Sequence, residues 1–345
     1  MAVFAKKRMV LAHAKNRFPQ GLDPPTGWGR LPVMERNKLY IDGCAQLPGV
    51  GPSCQRRRGV GHCGTGLTGV LLAAAVLVSA QLANDGDAAA AEARTARTSV
   101  LFACDFESAD WFRAWGVRDK PRNCDLVAAD PERKFEPRAG KALRIKIRQG
   151  DHYGTSIEYR FRKHHGFEPE EIYFRYYLRL ADDWTATRGG KLPGVAGTYG
   201  NAGWGGRPVD GTNGWSARGL FEGRADGKTA VGFYCYHMDM RGSYGSQWIW
   251  DREGLGFLEN NRWYCLEQHV KLNTPGRADG VMRGWVDGKL AFEKTNVRMR
   301  AVDTLKIEMV WLNLYYGGTW TAPRDMHVYI DDVAIARQPI GPVRQ

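Results

Sequence analysis

Lys191 lies in the run Gly189-Gly190-Lys191-Leu192-Pro193-Gly194, one residue separates Ser216 from Arg218, and one separates Tyr234 from Tyr236. Residues i and i+2 of a β-strand project from the same face. Ser216 and Arg218 therefore point together if their segment is a strand, and Tyr234 and Tyr236 do the same. Two such strands side by side gather a hydroxyl, a guanidinium and two phenols, with Lys191 at the mouth of a long loop to close over them. That set suits β-elimination from a uronic acid. The reaction removes the proton at C5, beside the carboxylate, and expels the oxygen at C4. The proton is acidic enough only when the carboxylate charge is neutralised, which the planar fork of Arg does bidentately. Tyr or Lys can take or give a proton once neighbouring positive charge lowers its pKa. Ser216 can donate to the carboxylate or to a sugar hydroxyl.

Each element alone has an ordinary reading. Tyr is a good strand former, so a Tyr-x-Tyr pair is commonly packing, and a lone Lys in a Gly-rich run is commonly solvated. Short motifs specify little by themselves. Their order along one chain carries the argument.

The elements that must position these residues are β-strands. Segments 142–148 (ALRIKIR), 156–162 (SIEYRFR) and 172–180 (IYFRYYLRL) alternate apolar and polar residues with period 2. Further strands are expected at 215–222, 229–238, 262–272, 281–286, 289–294, 304–315 and 326–336. Asp-Gly at 226–227 and at 287–288 is a hairpin signal. No amphipathic helix of three turns is evident. The expected fold class is all-β, a jelly roll or concanavalin-like sandwich of antiparallel sheets. Residues 187–214, rich in Gly and without period, read as a long functional loop.

This β region runs from about residue 99 to residue 345. Upstream, residues 67–83 (LTGVLLAAAVLVSAQLA) form an apolar run behind Arg56-Arg57-Arg58 and ahead of small residues. That is the layout of a secretory signal, with an uncleaved anchor as the alternative. A secreted or periplasmic location is expected. Residues 1–66 read as a leader of uncertain status and 84–98 as a flexible linker. The leader and linker also hold much of the charge. Residues 1–98 contain 13 Lys+Arg and 6 Asp+Glu, and the other 247 contain 36 and 31, against a chain total of +12. Bulk charge is therefore a poor guide to the partner. No basic helix, zinc-finger spacing or RNA-binding strand motif points to nucleic acid. Of the seven cysteines, Cys44, Cys54 and Cys63 precede the domain. Cys104, Cys124, Cys235 and Cys265 lie within it, and two disulfides, Cys104–Cys124 and Cys235–Cys265, are expected, with four buried thiols as the alternative.

The ordered set GGKLPG, WSARGLF, VGFYCYH, WYCLEQHVKLNTPGRADGVMRGWVDGK, YYGG and YIDD resembles polysaccharide lyase family 14 and its relatives, including the glucuronan lyases of family 20. The resemblance spans roughly residues 99–336. It implies a β-jelly roll that cleaves alginate, glucuronan or a similar polyuronate, with Lys191, Ser216, Arg218, Tyr234 and Tyr236 as catalytic groups. It implies no obligatory metal. A long insertion, Tyr199–Gly214, departs from the family pattern.

Secondary candidates for substrate binding are Gln268, His269, Trp204 and Tyr316. Gln268 and His269 point to opposite faces of one strand, so at most one faces a cleft. Trp248, Trp250 and Tyr315 are further stacking candidates. His237 follows the Tyr pair on the opposite face and reads as structural, and Asn273 as a turn residue. Asp331-Asp332 is a weak signal for a structural calcium ion. The expected partner is an acidic polysaccharide, with no nucleic acid and no protein partner implied. Two rival readings fit the same fold. A glycoside hydrolase needs a carboxylate pair, and the E-x-D-x-x-E arrangement of one jelly-roll hydrolase group is absent. A non-catalytic carbohydrate-binding module keeps the fold and the cleft.

Overall fold

The period-2 segments form strands that pair into two antiparallel sheets. The computed structural model describes residues 99–343. The expected leader, apolar run and linker, with Cys44, Cys54 and Cys63, lie outside the described residues. The strands are β1 (Val100–Cys104), β2 (Cys124–Val127), β3 (Ala142–Ile147), β4 (Tyr153–Arg160), β5 (Glu171–Leu180), β6 (Gly190–Gly197), β7 (Trp215–Gly223) and β8 (Thr229–Tyr236). They continue with β9 (Ser246–Ile249), β10 (Phe257–Leu258), β11 (Trp263–Lys271), β12 (Gly280–Val286), β13 (Lys289–Val297), β14 (Met309–Tyr316) and β15 (Met326–Ala336). One sheet has the order β13-β12-β11-β5-β15-β3-β2 with β1 also on β15. The other has the order β10-β8-β7-β6-β14-β4 with β9 also on β8. Two α-helical turns, Trp111–Ala114 and Phe161–His165, are short. Among the described residues no helix is long and apolar enough to cross a membrane.

The core lies between the sheets. Phe174, Tyr176, Leu178, Val328 and Ile330 come from one side, and Leu192, Phe221, Phe233 and Leu312 from the other. Both Asp-Gly signals are hairpins. Asp287 and Gly288 have φ of 50° and 78° between paired residues Val286 and Lys289, the left-handed pair of a type I′ turn.

Three expectations are corrected. Residues 187–214 are not one loop, because 190–197 form β6 in the middle of the seven-stranded sheet, buried along its whole length. Glycine there reflects close approach. A Cβ on Gly190 would lie 2.2 Å from Tyr315 O, and one on Gly197 would lie 2.4 Å from Lys306 O. Lys191 is therefore a strand residue, and it does not sit at a loop mouth. The strand expected at 304–315 begins only at Met309. Finally, Cys104, Cys124, Cys235 and Cys265 are buried free thiols. Cys235 faces the core, where its sulfur meets Met299 Sδ at 3.7 Å, whereas Cys265 lies beside Tyr177 on the outer face of the other sheet. Cys104 pairs with Val333 near one end of β15, whereas Cys124 lies beyond β3, level with Val328 near the other end. Neither pair can meet the short separation a disulfide demands.

Candidate active site

Trp215, Ala217 and Phe221 of β7, Phe233 and Cys235 of β8, and Leu312 and Leu314 of β14 all point into the core. Alternation then turns Ser216, Arg218, Tyr234, Tyr236, Trp311 and Asn313 to the outer face of the seven-stranded sheet. Strands β7 and β8 are neighbours, with Ser216 opposite Tyr236 and Arg218 opposite Tyr234. Lys191 on β6 lies opposite Leu220 on one side and Tyr315 on the other. The structure thus brings all five expected residues to one face.

A β-bulge adjusts their alignment. The β6–β7 register slips between Leu192 and Val195, and the β14–β6 register slips beside it. Pro193 has no N–H to give the ladder. Gly194 passes so close to β7 that a Cβ would lie 2.5 Å from Arg218 Cα. The Pro193 carbonyl turns inward and accepts from Gln268 Nε2 at 2.8 Å, a bond that crosses from the opposite sheet. Bulges of this kind re-aim side chains next to reactive groups. Here the Lys191 nitrogen ends 3.5 Å from the centroid of the Tyr234 ring.

Arg218 is 7 % exposed. Its Nη1 donates to Asn313 Oδ1 at 3.2 Å and its Nη2 to Gly203 O at 2.6 Å, while Nε has no partner. The guanidinium also lies 4.8 Å from the Trp311 ring centroid. No described carboxylate pairs with it. Burial pushes its pKa below the ordinary value, with only neighbouring phenols opposing. Lys191, 8 % exposed, has its pKa lowered to about 7 by burial and then by the charge of Arg218. Burial raises the pKa of the Tyr236 phenol, which stays protonated. The Tyr234 hydroxyl accepts the N–H of Gly245 at 3.2 Å, leaving its own hydrogen to be donated elsewhere.

The segment 199–214 covers one side of this face. Ala202 and Val209 pack on Tyr234, Tyr236 and Leu220, and Gly203 sits against Ser216 and Trp311. Ser216 is 0 % and Tyr236 1 % exposed, and the Ser216 hydroxyl has no hydrogen-bond partner. Lys191, Arg218 and Tyr234 are therefore the members of the set that keep an accessible edge.

The secondary candidates divide. Trp204 is near the site, with its ring 6.3 Å from that of Trp311. Gln268 is fully buried between the sheets, where it holds Pro193 and meets no substrate. His269 lies on the outer face of the other sheet, stacked on Tyr173 and bonded to Glu171 at 2.8 Å. Tyr316 is a core residue whose hydroxyl bonds Thr187 Oγ1 at 2.8 Å. These three are corrected as substrate contacts, because sandwich geometry sends both faces of β11 and the inner face of β14 away from the site. Trp250 is core and Trp248 stacks on Phe292. His237 bonds Ser246 Oγ at 2.8 Å. The Asn273 side-chain amide donates to the carbonyls of Thr274, Arg277 and Arg300 and accepts the N–H groups of Met299 and Arg300. Asp332 pairs with Arg138 at 2.7 Å, and Asp331 accepts the Asp332 N–H. No three His, Cys, Asp or Glu side chains gather as a metal site among the described residues.

Asn313, Trp311 and Tyr153 are the site residues that sequence reasoning missed. The alternation Trp311-x-Asn313-x-Tyr315 was there to be read, but nothing in it says which face is the core.

Residues 138–333 match the sequence profile described as Polysaccharide lyase 14. Among solved structures, the PL-14 alginate lyase of Aplysia kurodai is 18 % identical with a TM-score of 0.54, over 70 % of this chain and 100 % of that one. The alginate lyase Aly36B is 18 % identical with a TM-score of 0.51, over 68 % of this chain and 93 % of that one. An endo-β-1,4-glucuronan lyase of Trichoderma reesei is 16 % identical with a TM-score of 0.47, over 70 % and 96 %. No curated protein sequence matches the chain. The two alginate lyase structures, with TM-scores above 0.5, speak for the fold alone at these identities, and the profile, spanning more than half the chain, speaks for the family: the chain belongs to polysaccharide lyase family 14.

Proposed function

We propose that this polysaccharide lyase cleaves a polyuronate, alginate or glucuronan being the leading substrates, by β-elimination on the outer face of the seven-stranded sheet. The observation that carries the reading is Arg218, a buried guanidinium with no carboxylate partner among the described residues. An unpaired buried charge is costly, and a substrate carboxylate is the group that completes it. Arg218, with Asn313 fixing its plane, holds the carboxylate of the sugar whose C5 proton is lost. Lys191 as neutral amine takes that proton. The electron pair moves into the C4–C5 bond, the C4–O bond breaks, and Tyr234 gives its proton to the leaving oxygen. The products are a new reducing end and a 4,5-unsaturated uronate. Ser216 and Tyr236 lie behind the reacting groups and support them. Arg218 supplies the positive charge the reaction needs, so the reading invokes no metal ion. The proposed exported location is supported by residues 56–93 of the sequence; the described cysteines are free thiols and add nothing to it.

The test is to incubate the purified chain with alginate, glucuronan and a neutral glucan while following the ultraviolet absorbance of the unsaturated product. New absorbance from a polyuronate only is expected. Cleavage without the chromophore would point to hydrolysis, and binding without cleavage to a non-catalytic module.

A further inference from the structure

Tyr153 is 52 % exposed, one of the few large apolar side chains that the described residues leave in solvent. It is exposed because of a second bulge. Strand β4 pairs with β14 in regular register from Arg160↔Met309 to Thr155↔Leu314, then slips so that Tyr153 faces Tyr315. Thr155 points inward, and strict alternation would send Tyr153 inward too. The extra residue is Gly154, packed so closely that a Cβ would lie 2.9 Å from both Ile145 Cγ2 and Leu314 Cδ2. Only glycine fits, and the slip turns Tyr153 onto the same outer face as Tyr315.

Its support is built from rings. The Tyr153 and Tyr315 centroids are 4.8 Å apart at 57°, and His152 stacks on Tyr315 at 5.4 Å and 15°. His152 is pinned in turn: Nδ1 lies 3.0 Å from Tyr316 O, and the Tyr316 N–H donates to His152 O at 2.7 Å. Tyr315 lies directly opposite Lys191 and two residues from Asn313, the partner of Arg218. The outward residues of β14 thus run Trp311, Asn313, Tyr315, with the carboxylate-binding pair in the middle and an aromatic on each side.

We infer that Tyr153, buttressed by Tyr315 and His152, is a sugar-stacking subsite for the pyranose next to the one whose carboxylate Arg218 binds. An exposed ring with an apolar face and a polar tip suits the C–H face of a sugar and its hydroxyls. A fixed ring also binds at little entropic cost. The inference rests on the reading of this face as a polyuronate lyase site. It makes Tyr153 a determinant of binding and chain-length preference, outside the proton transfers.

The experiment compares wild type, Tyr153→Ala and Tyr153→Phe on sodium alginate and glucuronan and on their tetrasaccharides and hexasaccharides, scoring kcat, KM and product lengths. Tyr153→Ala is expected to raise KM on polymer by about three- to tenfold, to leave kcat within about twofold, and to shift the product lengths. Tyr153→Phe, which keeps the ring and loses only the polar tip, should raise KM by less than Tyr153→Ala does, and the melting temperatures should agree because the side chain is exposed. An active wild type with Tyr153→Ala indistinguishable from it would overturn the subsite alone. A wild type that forms no unsaturated product from either polymer would overturn the reading of the site on which it stands.

Discussion

The nitrogen of Lys191 sits 3.5 Å from the centre of the Tyr234 ring, on the face of a buried sheet position that also holds Arg218. Two basic side chains share a site in which no described carboxylate pairs with either. The electrostatic consequence falls on the weaker acid of the two. Arg keeps its proton, and Lys191, with its pKa lowered to about 7 by burial and by Arg218, gives its proton up near neutrality.

The pH dependence follows directly. Below about 7 the Lys191 nitrogen of the free protein is protonated and cannot accept the C5 proton, so kcat/KM should climb with pH through that value. A pH profile of kcat/KM on polyuronate checks this. A flat profile from acid to alkaline pH would contradict the assignment of Lys191 as base.

The same lowered pKa makes a statement about stability. The unfolded lysine binds its proton up to its ordinary value, whereas the folded one releases it near 7. The native state is therefore penalised as pH falls from about 10.5 to about 7, and the penalty is constant below that. Lys191→Met should abolish activity and raise the melting temperature at pH 6. The gain should be smaller at pH 10, with an upper bound of about 5 kcal/mol at the acid end. Differential scanning fluorimetry at the two pH values would show it.

The two tyrosines should separate. Tyr234 is 7 % exposed and Tyr236 1 %, so the edge that a leaving oxygen can reach belongs to Tyr234. Tyr234→Phe is expected to lower kcat by about 10²-fold or more, and Tyr236→Phe by less than about tenfold. Steady-state rates decide it. The reverse order would exchange their roles.

Gln268 acts at a distance from substrate. It holds the Pro193 carbonyl at 2.8 Å and so the bulge that sets Lys191 against Arg218. Gln268→Leu leaves that carbonyl unsatisfied, at a cost of about 1–3 kcal/mol. A merely structural role would lower the melting temperature alone. A positioning role should also lower kcat more than it changes KM and displace the ascending limb of the pH profile. Gln268→Asn, too short to reach, should behave like Gln268→Leu.

Much of this arrangement was legible in the chain. Alternation in 142–148, 156–162 and 172–180 located strands, and each i, i+2 pair put its two candidate side chains on one face of its own strand; that the two strands are neighbours is what the structure adds. What stayed hidden has physical causes. Strand β6 has a loop composition because three of its glycines lie where neighbouring backbone or side chains leave no room for a Cβ. Gln268 and His269 were correctly placed on opposite faces. Which of those faces belongs to the core depends on the second sheet, which no local pattern encodes. Tyr153 escaped because a bulge at Gly154 breaks the alternation that would reveal it. The disulfide expectation failed because neighbours in sequence fall on separated strands or opposite faces.

Arg218→Met is the most direct trial of the account. It removes a buried charge but also the donors to Gly203 O and Asn313 Oδ1, so the two effects offset and the chain should stay folded, with a melting temperature near that of wild type. The rate of unsaturated-product formation from polyuronate should fall by about 10³-fold or more. A folded Arg218→Met chain that still forms the chromophore at the wild-type rate would contradict the claim that this guanidinium waits for a substrate carboxylate.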